Sequence, residues 1–452
     1  MKFKKNARIG IWGYGIVGKA AAEFFYNQGY QINVMDKRKF SYEELENLRN
    51  KNGTIYNETD KNQFFISHDY LFSSPGVNIA FDYPTHKHKW LQELDLFAAV
   101  FGKPIIAVTG SIGKTSVTTM LADVLKLAHI PTCVGGNIGT ATFDLLGQKD
   151  SIDCALLEVS SFQLEHCTTF APQLAIWTNF YPNHLDHHAT EQDYFLAKYA
   201  IMKQQTDNQQ SLVHLSLRDR IPKNNTCHMR SYFSSTKPIP NTLEKFTKNE
   251  RAYFVENNVV MRYSDNNCIP LITLNDELLT FSFLDNIVLL TAACDLLNLN
   301  PQILYQIPTT SQLPEHRLEK VATLNGIDFY NDSKSTTTAS TLAAVEKLKD
   351  RPLHLFVGGL SKGVNRGLFI AELKQYVKYI YCFGEEASEL YKFCIKNQIP
   401  AQQFPDLDSA FTACIANTKN GDTVLFSPAG SSYDLYKNYE ERGTHFKTLI
   451  KK

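Results

Sequence analysis

The sequence predicts an α/β protein made of three doubly wound domains, and three observations lead there. The chain has 452 residues, which at about 150 residues per domain suggests three. Short apolar runs alternate with helical patterns in three successive stretches, the signature of sheets wound by crossover helices. Two of those stretches open with a strand, a glycine loop and a helix, an order that gathers backbone N–H groups around an anion.

The first stretch is expected to cover 1–101, with a strand at 7–13, a helix at 17–28 and a strand at 31–36. Phe101-Gly102-Lys103-Pro104 punctuates the chain there. The second, 102–313, opens on the apolar run Ile105–Val108, with further strands at 155–159 and 174–177. Residues 207–282 turn polar and Asn-rich, with only short strand-like pieces such as 252–255, and a helix at 284–298 closes the stretch. The third, 314–452, alternates strands at 353–357, 379–383 and 423–426 with helices at 337–348, 386–396 and 431–449.

Composition narrows the function. Hydrophobic residues make up 43% and charged residues 20%, which suits folded cores and excludes a disordered chain. Lys+Arg and Asp+Glu are both 46, so nothing suggests a nucleic-acid or membrane partner. The nine cysteines are scattered and form no C-x-x-C pair, which predicts free thiols in a reducing, cytoplasmic setting. No run of 18 apolar residues exists, and the basic start runs into glycines instead of a signal sequence.

Gly13-Tyr14-Gly15-Ile16-Val17-Gly18 follows a strand and opens a helix, with Asp36 ending the next strand. This spacing matches a Rossmann-like dinucleotide fingerprint, in which glycines let phosphates approach a helix N-terminus. A tight turn without ligand is the other reading. In the central stretch, Gly110-Ser111-Ile112-Gly113-Lys114-Thr115 is a variant P-loop, with Val108 where the strict pattern has Gly. Its N–H groups suit phosphates, Lys114 neutralises them, and Thr115 is a Mg²⁺ ligand type. Glu158 ends an apolar strand, a place suited to holding Mg²⁺ or simply to solvation. His184-Leu185-Asp186-His187-His188 is a metal-ligand cluster or a solvated loop. Asp332-Ser333-Lys334-Ser335-Thr336 reads as an anion contact or a helix cap.

Taken in order, these motifs resemble those of the Mur ligases. The set runs from GSIGKT at 110–115 through VGGNIG, LEVSSFQLE, NHLDHH, PEHRLE, NDSKSTT and VGGLSKG to SPAGSSYDLYKNYEERG at 427–443. The resemblance is greatest to the D-glutamate-adding branch and weakest over 207–282. It implies a central P-loop ATPase-like domain between two Rossmann-like domains. It further implies an ATP-dependent amide ligase of peptidoglycan synthesis, acting on UDP-N-acetylmuramoyl-L-alanine and D-glutamate through an acyl phosphate, as a monomer. ATP would be held by Gly110, Ser111, Gly113, Lys114, Thr115, Asn286, Arg317, Asp332 and Lys334. Thr115, Glu158, His184 and a carbamylated Lys198 would hold Mg²⁺, with Lys114, His184 and Lys198 serving catalysis. Substrate contacts fall on Gly13, Gly15, Ile16, Asp36, Ser74, Gly76, Asn137, Gln163, Thr336, Lys362, Ser432 and Tyr439.

Three positions depart from the family pattern. Ile112 and Leu289 stand where Asn is usual, and Tyr439 where Phe is common. A missing amide at a nucleotide contact removes about one hydrogen bond, some 0.5–1.5 kcal/mol net, so Leu289→Asn is expected to tighten ATP binding. Other readings stay open: a different Mur-type or folylpolyglutamate-type ligase, a nicotinamide oxidoreductase built on the fingerprint, or a non-catalytic nucleotide-binding homologue.

Overall fold

The computed structural model describes residues 3–222, 229–311, 314–361 and 364–451. Cys227, Leu313 and the candidate Lys362 lie outside them. Each of the three stretches carries its own sheet.

The first sheet holds β1 (Arg8–Trp12), β2 (Gln31–Met35), β3 (Thr54–Tyr56), β4 (Tyr70–Ser73) and β5 (Trp90–Leu91), all parallel, in the order β3-β2-β1-β4-β5. The order reverses at β1, so the glycine loop after β1 opens at the switch point where doubly wound sheets bind ligands. β1 and β2 each bury four consecutive residues, apolar in β1 and apolar except for Asn33 in β2, as strands covered on both faces do.

The second sheet contains β6 (Ile105–Thr109), β7 (Thr132–Gly136), β8 (Cys154–Glu158), β9 (Leu174–Trp177), β10 (Gln210–His214), β11 (Met229–Phe233), β12 (Glu250–Glu256), β13 (Val259–Ser264) and β14 (Asn267–Thr273). Their order is β14-β13-β12-β11-β10-β9-β6-β8-β7. The stretch expected to be irregular therefore supplies five strands. Its Asn-rich spots are hairpin turns: Asn257-Asn258 and Asp265-Asn266 all have φ between 49° and 61° and join antiparallel neighbours. Two-residue hairpins need positive φ at both central residues, and Asn and Asp tolerate it.

The third sheet runs β15-β16-β20-β17-β18-β19 and is parallel except for β15. Its strands are β15 (Glu319–Leu324), β16 (Ile327–Asn331), β17 (Leu353–Gly358), β18 (Val377–Phe383), β19 (Ala401–Phe404) and β20 (Thr423–Phe426). The last helix is Tyr439–Ile450, not 431–449. Asn438 caps it by accepting from Glu441 N at 2.7 Å, while Ser431 is tied in a bridge to Leu360, which keeps 427–438 as a loop.

Contacts divide the chain into one unit of Met1–Phe180 with Phe195–Ser311, holding the first two sheets, and a second of Tyr181–Tyr194 with Gln312–Lys452. Within the first unit, Phe143 stacks on Phe24 at 4.8 Å. The helix Glu93–Phe101 gives Leu96 to the first core and Leu94, Phe97 and Phe101 to the second. Among the described residues no helix is long and apolar enough to cross a membrane.

Beneath the first sheet, His68 Nδ1 lies 2.6 Å from Phe64 O, and its Nε2 lies 2.8 Å from Asn33 Nδ2. This pairing needs neutral imidazole, with Nδ1 donating and Nε2 accepting. Burial holds both His68 and His354 below the usual value of 6.5. The unfolded chain then binds the proton more tightly, so their contribution is complete above pH 6.5 and is lost as pH falls through the folded values. We expect the thermal midpoint, followed by circular dichroism, to drop between about pH 7.5 and about pH 5.5. His68→Gln should flatten that slope.

Candidate active site

The loop after β6 is shaped by its neighbours. A Cβ on Gly110 would lie 1.9 Å from Thr178 Oγ1, and Gly113 has φ +79°, so both positions demand glycine. Gly113 caps the helix Lys114–Leu127, whose first N–H groups and dipole favour an anion. Asn179 grips the loop from both sides: Ile112 N donates to its Oδ1 at 3.0 Å, and its Nδ2 donates to Ile112 O at 3.0 Å. Thr178 Oγ1 adds a bond to Ile112 O at 2.9 Å. These bonds all go to the backbone of residue 112, so isoleucine is accommodated there. Sequence reasoning did not single out Thr178 or Asn179; a polar pair directly after the apolar β9 was the available signal.

Two ammonium groups converge on one carbonyl. Lys114 Nζ donates to Gly110 O at 2.9 Å, and Lys198 Nζ donates to the same oxygen at 2.8 Å. Lys198 is 1% exposed, on the helix Glu191–Lys203. Burial, with Lys114 beside it, holds its ammonium well below the usual lysine range against the pull of Glu158. Glu158 ends β8 with Oε1 accepting from Asn137 Nδ2 at 2.8 Å. Its Oε2 is buried with no hydrogen-bond partner among the described residues. An orphaned carboxylate oxygen beside a phosphate-type loop is a hard oxygen donor of the kind a divalent cation takes.

Asn286 borders the loop, its Oδ1 3.9 Å from where a Cβ on Gly113 would stand, and it donates to Ser282 Oγ at 3.0 Å. Leu289, three residues on, is fully buried among the apolar residues of the helix Leu284–Leu296. Position 289 offers no exposed surface in this structure, so an Asn there would be buried before it could meet a nucleotide.

At the first sheet, Gly13 has φ +89°, and a Cβ on Gly18 would strike Gly13 O at 1.9 Å. Ser74 Oγ donates to Gly13 O at 2.7 Å, and Asp36 accepts from Tyr14 N at 2.7 Å. Gly15 and Gly76 border open space, and Ile16 is 75% exposed at the start of its helix. An exposed apolar side chain beside free helix N–H groups suits a ligand with an anionic part and a planar part. Gln163 is committed within the protein. Its Oε1 accepts from Ser160 in a capping box, and its Nε2 donates to the buried Glu93 at 3.1 Å.

In the second unit, Asp332 is buried and accepts from Ser335 Oγ, Ser427 Oγ and Leu318 N. Burial pushes its carboxyl up to about 6, against these bonds and the charge of Arg317. Lys334 Nζ lies 3.6 Å over the Tyr439 ring, a cation–π contact. Thr336 precedes Thr337, the cap of the helix Thr338–Lys347. Ser432 is buried, and its carbonyl accepts from Tyr436 N at 2.9 Å. His184 stands at φ 55°, with its carbonyl accepting from His187 N and His188 N.

Family models match in the same order as the sheets: Mur ligase MurD-like, N-terminal domain over 7–88, Mur ligase middle domain over 108–265, and Mur ligase, glutamate ligase domain over 316–430. The UDP-N-acetylmuramoylalanine–D-glutamate ligase of Oleidesulfovibrio alaskensis is 31% identical, over 97% of this chain and 93% of its own. The chain belongs to the Mur ligase family. The enzyme of the same name from Leuconostoc citreum is 28% identical over 99% of this chain and 98% of its own. The crystal structure of the MurF ligase from Thermotoga maritima in complex with ADP shares the fold, with a TM-score of 0.58 at 15% identity, covering 93% of this chain and 95% of that one.

As a Mur ligase with leucine at 289, the chain gives a clear expectation for Leu289→Asn. Removing apolar volume and burying an unpaired amide should cost about 3 kcal/mol or more. Denaturant unfolding should show that loss, and titration calorimetry should show no tightening of ATP.

Proposed function

We propose that this Mur ligase joins D-glutamate to UDP-N-acetylmuramoyl-L-alanine at the expense of ATP, in the cytoplasmic phase of peptidoglycan synthesis. The observation that carries the reading is the match across nearly the whole chain to ligases of that name, together with two lysines gathered on a phosphate-type loop. In this reading the divisions at 101/102 and 313/314 separate domains for the UDP part, for ATP and for the amino acid.

The residues follow the chemistry. The substrate carboxylate attacks the γ-phosphate of ATP, giving an acyl phosphate and ADP. The amine of D-glutamate then attacks the acyl carbon, a proton leaves the nitrogen, and phosphate departs. Charge accumulates on phosphoryl oxygens in the first step, so positioned cations dominate catalysis. Lys114 supplies one directly, and the helix Lys114–Leu127 adds its N-terminal field. By family resemblance His184 is the matching metal candidate in the second unit, and in the first unit Glu158, Thr115 and Lys198 are the residues for Mg²⁺, which when bound would neutralise phosphate charge. Lys198 serves there as a carbamate: its neutral amine adds to CO₂ and releases a proton, turning a cation into an anionic ligand. Its burial beside Glu158 and Lys114 supports this role. Asn137 steadies Glu158; Ser74 shapes the substrate loop through its bond to Gly13 O, and Gln163 acts from behind through its bond to Glu93. In the second unit Arg317, Asp332 and Lys334 serve the nucleotide, and Lys362, Ser432 and Tyr439 the amino acid.

Phosphate release with ATP, Mg²⁺ and UDP-N-acetylmuramoyl-L-alanine should depend on D-glutamate. It should not respond to L-alanine, meso-diaminopimelate or a folate, which separates the reading from its sister ligases. No turnover at all would favour the non-catalytic homologue. Lys114→Ala should lower the rate by on the order of 10³-fold or more while keeping the circular dichroism of the parent. Lys198→Ala should also be inactive, and acetate should restore part of its rate by filling the vacated anionic place. Full activity without acetate would refute the carbamate.

A further inference from the structure

Two loops of the second unit, Gly358–Ser361 and Ser427–Ser432, carry or adjoin the residues assigned above to the amino acid. Leu360 N donates to Ser431 O, and Ser431 N to Leu360 O, each at 2.9 Å, so the loops are zipped together. Arg366 lies beneath the first loop, 4% exposed. Its Nη1 donates to Gly358 O at 3.1 Å and its Nη2 to Gly359 O at 2.9 Å. The same guanidinium pairs with Glu386. Glu386 in turn accepts from Ser361 N at 2.9 Å and from Ser361 Oγ at 3.3 Å. One ion pair thus holds Gly358, Gly359 and Ser361, while Ser431 holds Leu360.

Glycines in both loops mark the fit. A Cβ on Gly430 would stand 2.9 Å from Arg366 Nη1, and one on Gly359 would stand 2.2 Å from Ser431 O and 2.9 Å from Arg442 Nη1. Arg442 is the second guanidinium here. It is fully buried and donates to Gly430 O and to Ser333 O and Oγ. It has no ion pair among the described residues, and burial lowers it to about 10. The two cations differ in kind. Arg366 is neutralised by Glu386, so it contributes shape, and its planar fork satisfies several acceptors at once. Arg442 brings positive charge beneath the Ser427–Ser432 loop, partly offset by Asp434, and what remains favours an acceptor that is itself an anion.

We propose that Arg366 and Glu386 are positioning residues for the incoming amino acid. They fix the Gly358–Ser361 backbone, and through the Leu360–Ser431 bridge the neighbouring loop, in the arrangement that receives the acceptor's side-chain carboxylate. The proposal rests on the D-glutamate ligase reading.

The test uses the full chain with Glu386→Gln and Arg366→Lys. Each should raise the KM for D-glutamate about tenfold or more, with the KM for ATP and for the UDP-substrate within about twofold. A purely structural role would lower the melting temperature and leave the three KM values in proportion. Equal changes in all three, or none, overturn the proposal. Glu386 is partly exposed, so its glutamine variant provides a folded test if Arg366→Lys fails to fold. Hydrogen exchange read by mass spectrometry should also show faster exchange over 358–361 in Glu386→Gln. Unchanged protection there overturns the clamp whatever amino acid the enzyme uses. A wild-type enzyme without D-glutamate-dependent phosphate release overturns the function reading instead, and the exchange result then decides the clamp by itself.

Discussion

The convergence of two ammonium groups on the carbonyl of Gly110 is the constraint around which the first unit is arranged. Like charges held on one acceptor repel, and low exposure strengthens the repulsion, which with burial holds Lys198 below the usual lysine range. The arrangement is stable only if negative charge is close by. Glu158 provides one such charge, held by Asn137, and its second oxygen remains open. The strain is relieved either by anionic charge at the loop, as a triphosphate supplies, or by loss of the Lys198 proton, which its burial favours. The lysines, the glycine that permits their approach and the strand that delivers the carboxylate all serve one electrostatic need.

How much of this the sequence could disclose depended on distance along the chain. The loops at 13–18 and 110–115 were legible because strand, glycines and helix are contiguous, and the physics that selects glycine is local. Lys198 is different. It meets Gly110 across 88 residues, and no periodicity or spacing points to that meeting; only the family order of motifs marked it. Thr178 and Asn179 carried only the weak signal of a polar pair after an apolar strand, because they act on the backbone of another loop and not on a side chain. Leu289 misled for the opposite reason. A one-letter comparison treats it as a lost contact, whereas the fold buries the position completely.

The strands of 207–282 show how composition can deceive. Asn-rich segments are ordinarily read as loops, yet here asparagines occupy the two-residue turns of an antiparallel extension. β14 is exposed over its first four residues, so its polar character was a property of a sheet margin. The third sheet was read well for strands buried on both faces and poorly at 431–438, where a loop held by a backbone bridge imitates a helix start.

The helix Glu93–Phe101 has a consequence for anyone dissecting this enzyme. Its Leu94, Phe97 and Phe101 belong to the core of the second sheet, although they precede the glycine and proline that punctuate the sequence. A recombinant fragment beginning at residue 102 would lack three of the side chains that close its own interior, and Phe143 would lose its stacking partner Phe24. Such a fragment would present sticky apolar surface to solvent. A usable excision of the nucleotide-binding portion has to begin upstream of Glu93, at the cost of carrying Leu96 exposed.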